Sequence, residues 1–390
     1  MFQRSIEGTL QNAASTFPVV VLTGPRQSGK TTLLKTLFPE YDYISLESPD
    51  NLLMVQSDPR GFLETDGRKK IIDEAQHYPE LFSYIQEYAD KERKPGMFIL
   101  SGSQNFLLAE RTSQTLAGRA AILELLPLSY TEYCTHPEIK KLNLWQFLYH
   151  GTYPRPYQEH LNTGLWYNSY IRTYLERDVR SLVNVKDLAK FQIFLKLCAG
   201  RHGQLLNLSS LGHDCGISQT TASQWLSILE ASYIVYRLQP YYRNFNKRLV
   251  KTPKLFFYDT ALVCQLLGIE SAEHLQLHTQ RGAIFEGFIL ADIIKSFTSR
   301  GKTAPLYFWR DHLGVEIDGL IERGEKLVAL EIKSSKTIVP DMLSVLQKWR
   351  QIAQSAAIKS CLVYAGDRSF VQDDIEIFSW MDYEANLNKV

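Results

Sequence analysis

The chain reads as an α/β protein: a parallel-sheet unit on a phosphate-binding loop, then a winged helix, then a second, strand-rich α/β unit. Three patterns carry this reading. Gly24-Pro25-Arg26-Gln27-Ser28-Gly29-Lys30-Thr31 lies between an apolar run at 17–23 and a helical pattern at 31–38. Two helical patterns, at 208–215 and 218–230, precede apolar strand patterns at 233–238 and 254–258. Acidic and lysine residues sit on strand patterns at 315–321 and 327–333, after a helix that begins near Phe285.

The first pattern has strand, loop and helix in the order that phosphate binding needs. Gly24 and Gly29 let successive backbone N–H groups turn toward the phosphates, and the helix N-terminus adds its dipole. The spacing predicts a site for ATP at Gly24, Pro25, Arg26, Gln27, Ser28, Gly29, Lys30, Thr31 and Thr32. Lys30 is expected to reach the β- and γ-phosphates, and the Thr31 hydroxyl to ligate magnesium. An anion-binding loop that does not hydrolyse is the alternative.

Lys69-Lys70-Ile71-Ile72-Asp73-Glu74 ends an apolar strand in two carboxylates. Asp73 is expected to hold magnesium and Glu74 to polarise the attacking water, the alternative being a surface strand end. A further strand at 97–100 leads into Ser101-Gly102-Ser103-Gln104. Ser103 or Gln104 there either contacts the γ-phosphate or the water, or caps a helix. Arg119, just before an apolar strand at 122–126, has two readings. It stabilises charge on the transferred phosphoryl group, in its own subunit or across an interface, or it is a surface arginine.

Taken together, Gly-Pro-Arg-Gln-Ser-Gly-Lys-Thr-Thr, Ile-Ile-Asp-Glu-Ala-Gln, Leu-Ser-Gly-Ser-Gln and Leu-Ala-Gly-Arg resemble the AAA-type ATPases of bacteria and archaea that carry a carboxy-terminal domain of uncharacterised function. Tyr174-Leu175-Glu176-Arg177-Asp178-Val179 and the region from Trp309-Arg310 to Lys333 extend the likeness over nearly the whole chain. The resemblance implies an AAA-like α/β ATPase domain first and a mixed carboxy-terminal region after it.

From 127 to 143 polar residues, Pro137 and aromatics mark a change of regime. Between 165 and 183 Arg172, Arg177 and Arg180 punctuate an apolar helical stripe, either reaching a neighbouring subunit's nucleotide or forming a solvated face. In the next unit Ser218 is placed to cap a second helix with Ala222, Trp225, Leu226 and Leu229 inward. Its outer side presents Gln219, Thr220, Thr221, Ser223 and Gln224, which suit base edges or phosphates. Aromatics and cations from Tyr241 to Lys251, with Lys247 and Arg248 among them, form a wing that contacts double-stranded DNA or packs against protein.

In the last unit the two-residue strand period puts Glu331 and Lys333 on one face, beside Asp318 on the adjoining strand. Asp318 with Glu331-Ile332-Lys333 resembles the restriction-endonuclease-like fold. The resemblance implies that Asp318 and Glu331 hold magnesium, that Lys333 orients or activates a hydrolytic water, and that Glu286 supports the metal from the preceding helix. Gln347, on the helix after the hairpin, is expected to steady the same site. A salt-bridged strand face is the alternative. These units divide the chain at 1–130, 131–200, 201–260 and 261–390.

Composition sets the bounds. A chain of 390 residues with 45% hydrophobic, 22% charged and 12% aromatic residues suits two or three folded domains. No run of 18 apolar residues occurs and the opening residues lack a secretory apolar core, so the cytoplasm is the expected compartment, with no membrane partner. The cysteines at 134, 198, 215, 264 and 361 form no Cys-x-x-Cys pair and are expected as reduced thiols; the nine histidines show no zinc spacing. A net charge of +1 leaves nucleic-acid contact to a local face. The leading expectation is an ATP-hydrolysing regulator whose nucleotide state repositions a winged-helix and nuclease-like tail. The alternatives are an ATP-switched protein-binding module and an ATP-controlled, magnesium-dependent DNA nuclease. The expected partners are ATP, double-stranded DNA, a protein partner and a second copy of the chain.

Overall fold

The computed structural model describes residues 2–64, 67–103, 116–136, 142–174, 187–242 and 250–387. Gln104, Arg177, Arg180, Lys247 and Arg248 lie outside the described residues, as does most of the expected wing.

β1 (Val19–Thr23), β2 (Asp42–Ser45), β3 (Lys70–Asp73), β4 (Phe98–Gly102) and β5 (Ala120–Glu124) form a sheet in the order β2-β3-β4-β1-β5. Every pairing is parallel. The three inner strands are buried along their whole length because helices cover both faces. Val19, Val21, Ile72 and Phe98 pack with Leu81, Phe82 and Ile85, whereas Val20, Leu22, Ile71 and Ile99 pack with Leu10, Leu33 and Leu34. The phosphate loop therefore leaves β1 at the carboxyl edge of the sheet, beside the ends of β3 and β4, where ligands of parallel sheets bind.

The helices Leu208–Cys215 and Gln219–Ala231 meet at a turn through Gly216, whose φ of 66° favours glycine. Ser218 Oγ accepts from Thr221 N at 3.0 Å and starts the second helix. The pair packs on an antiparallel sheet of β6 (Gln204–Leu205), β7 (Val235–Leu238) and β8 (Lys254–Phe257), ordered β6-β8-β7. The helical stripe expected across 165–183 is a helix at Thr163–Tyr170 that passes into a π-helical turn at 171–174.

The last unit is a six-stranded mixed sheet: β9 (Leu306–Arg310), β10 (Glu316–Arg323), β11 (Lys326–Lys333), β12 (Ala357–Tyr364), β13 (Phe370–Gln372) and β14 (Ile375–Ser379). β10 and β11 form the antiparallel hairpin, with Gly319 opposite Leu330. Leu330 and Ile332 face the helix Arg281–Thr298, while Leu327 and Ala329 face the helix Pro340–Ala353. One continuous core runs from Phe2 through the middle helices and the two-helix unit to Leu387. Backbone pairing crosses the same junction, with Phe308 N donating to Gln239 O and Tyr241 N to Phe308 O. No helix among the described residues is long and apolar enough to cross a membrane, and all five cysteines are free thiols.

Candidate nucleotide site and carboxylate cluster

The loop's geometry follows from its glycines. Gly24 has φ +148°, and a Cβ built there meets Leu125 O at 2.2 Å, so only glycine fits between loop and β5. Gly29 (φ +96°) caps the helix Lys30–Leu37, whose first turn carries Lys30, Thr31 and Thr32. Gln27 also takes positive φ, at 66°, and Ser28 is buried, with its N–H on Pro25 O. Lys30 Nζ donates to Gly24 O at 2.8 Å and Pro25 O at 2.9 Å. Burial lowers its pKa to about 8, against the opposing pull of Glu74 and Asp73.

Thr31 Oγ1 donates to Asp73 Oδ2 at 2.7 Å, and Tyr43 OH donates to the same oxygen at 2.8 Å. Ser101 Oγ donates to Asp73 Oδ1 at 2.5 Å. Glu74 adopts left-handed backbone (φ 52°), a sparsely populated conformation for a residue with a Cβ. Its Oε2 accepts from Gln76 Nε2 and from Ser103 Oγ at 3.3 Å. Ser103 is thus tied to Glu74. Lys30, Thr31 and Glu74 line a cavity of about 440 Å³, and Asp73 is joined to it through its bond with Thr31.

Arg119 does not join them. β5 runs parallel to β1 with Ala120 opposite Val19, so Arg119 stands at the far edge of the sheet from the loop that follows Thr23. Its Nε donates to Asp90 at 2.5 Å and Nη2 to the other oxygen at 2.9 Å. A role at its own subunit's nucleotide is corrected by this placement.

Several side chains around the loop were missed in the sequence. Buried Arg4 donates to Ser28 O at 2.8 Å and Leu126 O at 2.7 Å and pairs with Glu132 at 3.1 Å, fixing the loop's back. Arg155 and Glu159, joined at 3.0 Å, line the same cavity as Lys30, with Pro154. Tyr170 OH donates to Arg26 O at 3.4 Å, and the Arg26 guanidinium lies 5.6 Å from the Tyr174 ring centre. Pro154 opening a helix was the one visible signal among these; the other contacts join residues far apart in sequence.

In the carboxy-terminal unit Lys333 Nζ pairs with Glu331 and lies 3.4 Å from Asp318 Oδ2. Asp318 Oδ2 also accepts from Ile332 N at 2.8 Å. Burial, then Asp318, pushes the Glu331 carboxyl up, with Lys333 opposing. Glu286 is not turned into a shared ligand set. It pairs instead with Lys254 of β8 at 3.0 Å, and burial and Asp318 raise its pKa against Lys254. Among the described residues no group of three or more His, Cys, Asp or Glu side chains is disposed to hold a metal ion. The expected magnesium set of Glu286, Asp318 and Glu331 therefore does not fit as placed, because lysines stand among the carboxylates. Gln347 is exposed, since Leu343, Leu346 and Trp349 of its helix face the sheet.

The comparisons with known proteins divide along the same lines. Residues 16–134 match the AAA domain family. Residues 141–273 and 281–383 match two domains of unknown function, DUF8612 and DUF4143. The uncharacterized protein Rv2008c of Mycobacterium tuberculosis is 31% identical over 379 residues, covering 95% of this chain and 82% of that one. The chain belongs to its family of AAA-domain ATPases with a carboxy-terminal domain of unknown function. The uncharacterized protein Mb2031c of Mycobacterium bovis is similar to the same extent, 31% over 379 residues with the same coverage. The Walker-type ATPase PABY2304 of Pyrococcus abyssi is similar at 14% identity and a TM-score of 0.43, covering 68% of this chain and 96% of that one. At that TM-score the likeness adds nothing to the family assignment.

Proposed function

We propose that the protein is a magnesium-dependent ATPase whose nucleotide state sets the position of the two-helix unit. The observation that carries this is the contact of Thr31 with Asp73 at 2.7 Å beside Lys30, with Glu74 next in the chain. A hydroxyl and a carboxylate are hard oxygen donors, the set magnesium takes, and Thr31 and Asp73 would hold it. When bound, magnesium offsets charge that develops on the γ-phosphate. The backbone N–H groups of the loop cradle the phosphates, and Lys30 moves from the loop carbonyls to a phosphate oxygen. Glu74, oriented by Gln76 and Ser103, receives the proton of the attacking water. Arg155, which lines the same cavity, supplies a further cation.

Three contacts link the loop and the end of β1 to later parts of the chain: Tyr233 OH on Thr23, Tyr170 OH on Arg26, and Arg26 over Tyr174. They support a reading in which phosphate binding is felt by the helices behind. The helix Gln219–Ala231 leaves Gln219, Thr220 and Gln224 exposed, and these side chains favour double-stranded DNA as the partner of the winged helix. Strand cleavage is left out of this reading, since the carboxylates it would use are paired with lysines. The test is binding of a fluorescent ATP analogue with magnesium, followed by DNA anisotropy with and without ATP. Lys30→Ala is expected to lose nucleotide binding while keeping its fold. Affinity equal to the wild type overturns the proposal, and nucleotide binding with no DNA response at low salt assigns the two-helix unit to a protein partner.

A further inference from the structure

The strand β5 is the last of the first sheet, and the bonds at its two ends fix which way its backbone points. Val19 N donates to Arg119 O and Leu125 N donates to Thr23 O, so the N–H and C=O groups of 121 and 123 between them are spent on β1. Ile122 and Glu124 turn theirs the other way, to an edge that no strand among the described residues covers. Such an edge is a ready template for another chain.

This edge opens on a cavity of about 540 Å³ where the three units meet, walled by Tyr236 and Arg237 of β7 and by Lys302 and Tyr307. β7 offers a second edge there. Tyr258 N donates to Ile234 O, which directs 234, 236 and 238 toward β8 and turns the Arg237 backbone away from it.

The side chains on the β5 edge differ in kind. Leu123 and Leu125 are buried with Leu10 and Leu22, and the strand period puts Ile122 and Glu124 together on the opposite face. Ile122 is 48% exposed. Glu124 is half-buried, accepts from Tyr233 OH at 3.3 Å and has no ion-pair partner among the described residues, a costly state for a carboxylate. Of the cations lining the cavity, Arg237 is held by Glu230 at 2.6 Å and Lys302 is exposed; neither pairs with Glu124.

We infer that this slot captures an extended segment of a partner protein by strand addition to β5, with a basic side chain against Glu124 and an apolar one, two residues away, against Ile122. The open backbone groups supply affinity, and the two side-chain positions supply selection. A second copy's β5 is not the occupant, because its edge lies in the same walled slot. The segment seats beside Tyr233, whose hydroxyl also meets Thr23 at the start of the phosphate loop.

The experiment is fluorescence anisotropy of the labelled peptide Gly-Ser-Val-Thr-Lys-Thr-Val-Ser with the full-length protein. Its valines flank the lysine at two-residue spacing, so either strand direction sets Lys against Glu124 and Val against Ile122. Saturable binding is expected, weakened about tenfold or more by Glu124→Gln and by replacing the peptide's lysine with glutamate. Ile122→Pro removes an N–H that faces away from β1 and is expected to weaken binding as much. Should that variant fail to fold, the same peptide N-methylated at Thr, Lys and Thr makes the same test on the wild type. Hydrogen exchange at Ile122 and Glu124 is expected to slow when the peptide binds. No saturable binding at millimolar peptide overturns the inference. So does binding that survives N-methylation, or that is equal in the wild type and Glu124→Gln.

Discussion

The hydroxyl of Tyr233 lies 2.6 Å from the hydroxyl of Thr23, joining residues 210 positions apart. Thr23 ends β1 immediately before the phosphate loop, and Tyr233 follows the helix Gln219–Ala231 with its backbone in the left-handed region at φ 58°. Tyr233 OH also donates to Glu124 at 3.3 Å. Burial raises the pKa of Tyr233 and of Glu124, so the phenol keeps its proton and can donate it.

Tyr233→Phe keeps the ring and removes this link. It is expected to cost about 1–2 kcal/mol of stability, because buried Thr23 and half-buried Glu124 lose a partner. ATP binding is expected to persist. Hydrogen exchange over 219–231 is expected to respond to ATP in the wild type and not in the variant. An equal response in both shows that the signal travels by another route.

Gly24→Ala meets Leu125 O at 2.2 Å from its Cβ and holds alanine at φ +148°. Strain of about 1–3 kcal/mol is expected, together with weakened ATP affinity as the loop moves away from β5. Thermal unfolding and analogue binding measure the two effects. An unchanged melting temperature contradicts the packing described for the loop.

His202 is fully buried, accepts from Phe257 N at Nδ1 (3.2 Å) and packs against Gly287. Burial lowers its pKa from 6.5 to about 3. The unfolded chain thus takes up a proton below pH 6.5 that the folded chain refuses, and stability falls as pH drops from 6.5 toward 3. His202→Asn is expected to lose this component, making the wild type's fall from pH 7 to pH 5 steeper by about 2 kcal/mol. Urea unfolding at the two pH values checks it, and parallel pH profiles contradict it.

Arg119→Ala is expected to leave phosphate release unchanged in dilute protein, since Arg119 is bound to Asp90 at the far edge of the sheet. Repeating the assay at high protein concentration isolates any contribution across an interface between copies. A fall of an order of magnitude in dilute protein contradicts the placement.

The parts of the fold that local patterns specify were legible. Gly24, Gly29 and the Asp73-Glu74 pair announce themselves by spacing. Ser218 and Gly216 mark the two-helix turn, and the strand period aligns Glu331 with Lys333. What was hidden depends on long-range packing. Arg4 reaches the loop across 24 residues and Leu126 across 122, and nothing in its neighbours marks it. Lys254 reads as an ordinary strand-end cation until β8 is seated against the helix that carries Glu286. Arg119 shows the converse error, a motif-like context whose sheet end only strand direction reveals. The strands β12 and β14 passed unremarked because short apolar runs do not distinguish buried strand from buried helix.

The account turns on Glu74 as the group that takes the water's proton. The most direct measurement is magnesium-dependent steady-state phosphate release by Glu74→Gln, with ATP affinity measured in the same preparation. The substitution keeps the side chain's size and removes its basicity. Release is expected to fall by about two orders of magnitude or more with affinity retained. Release at the wild-type rate contradicts the account.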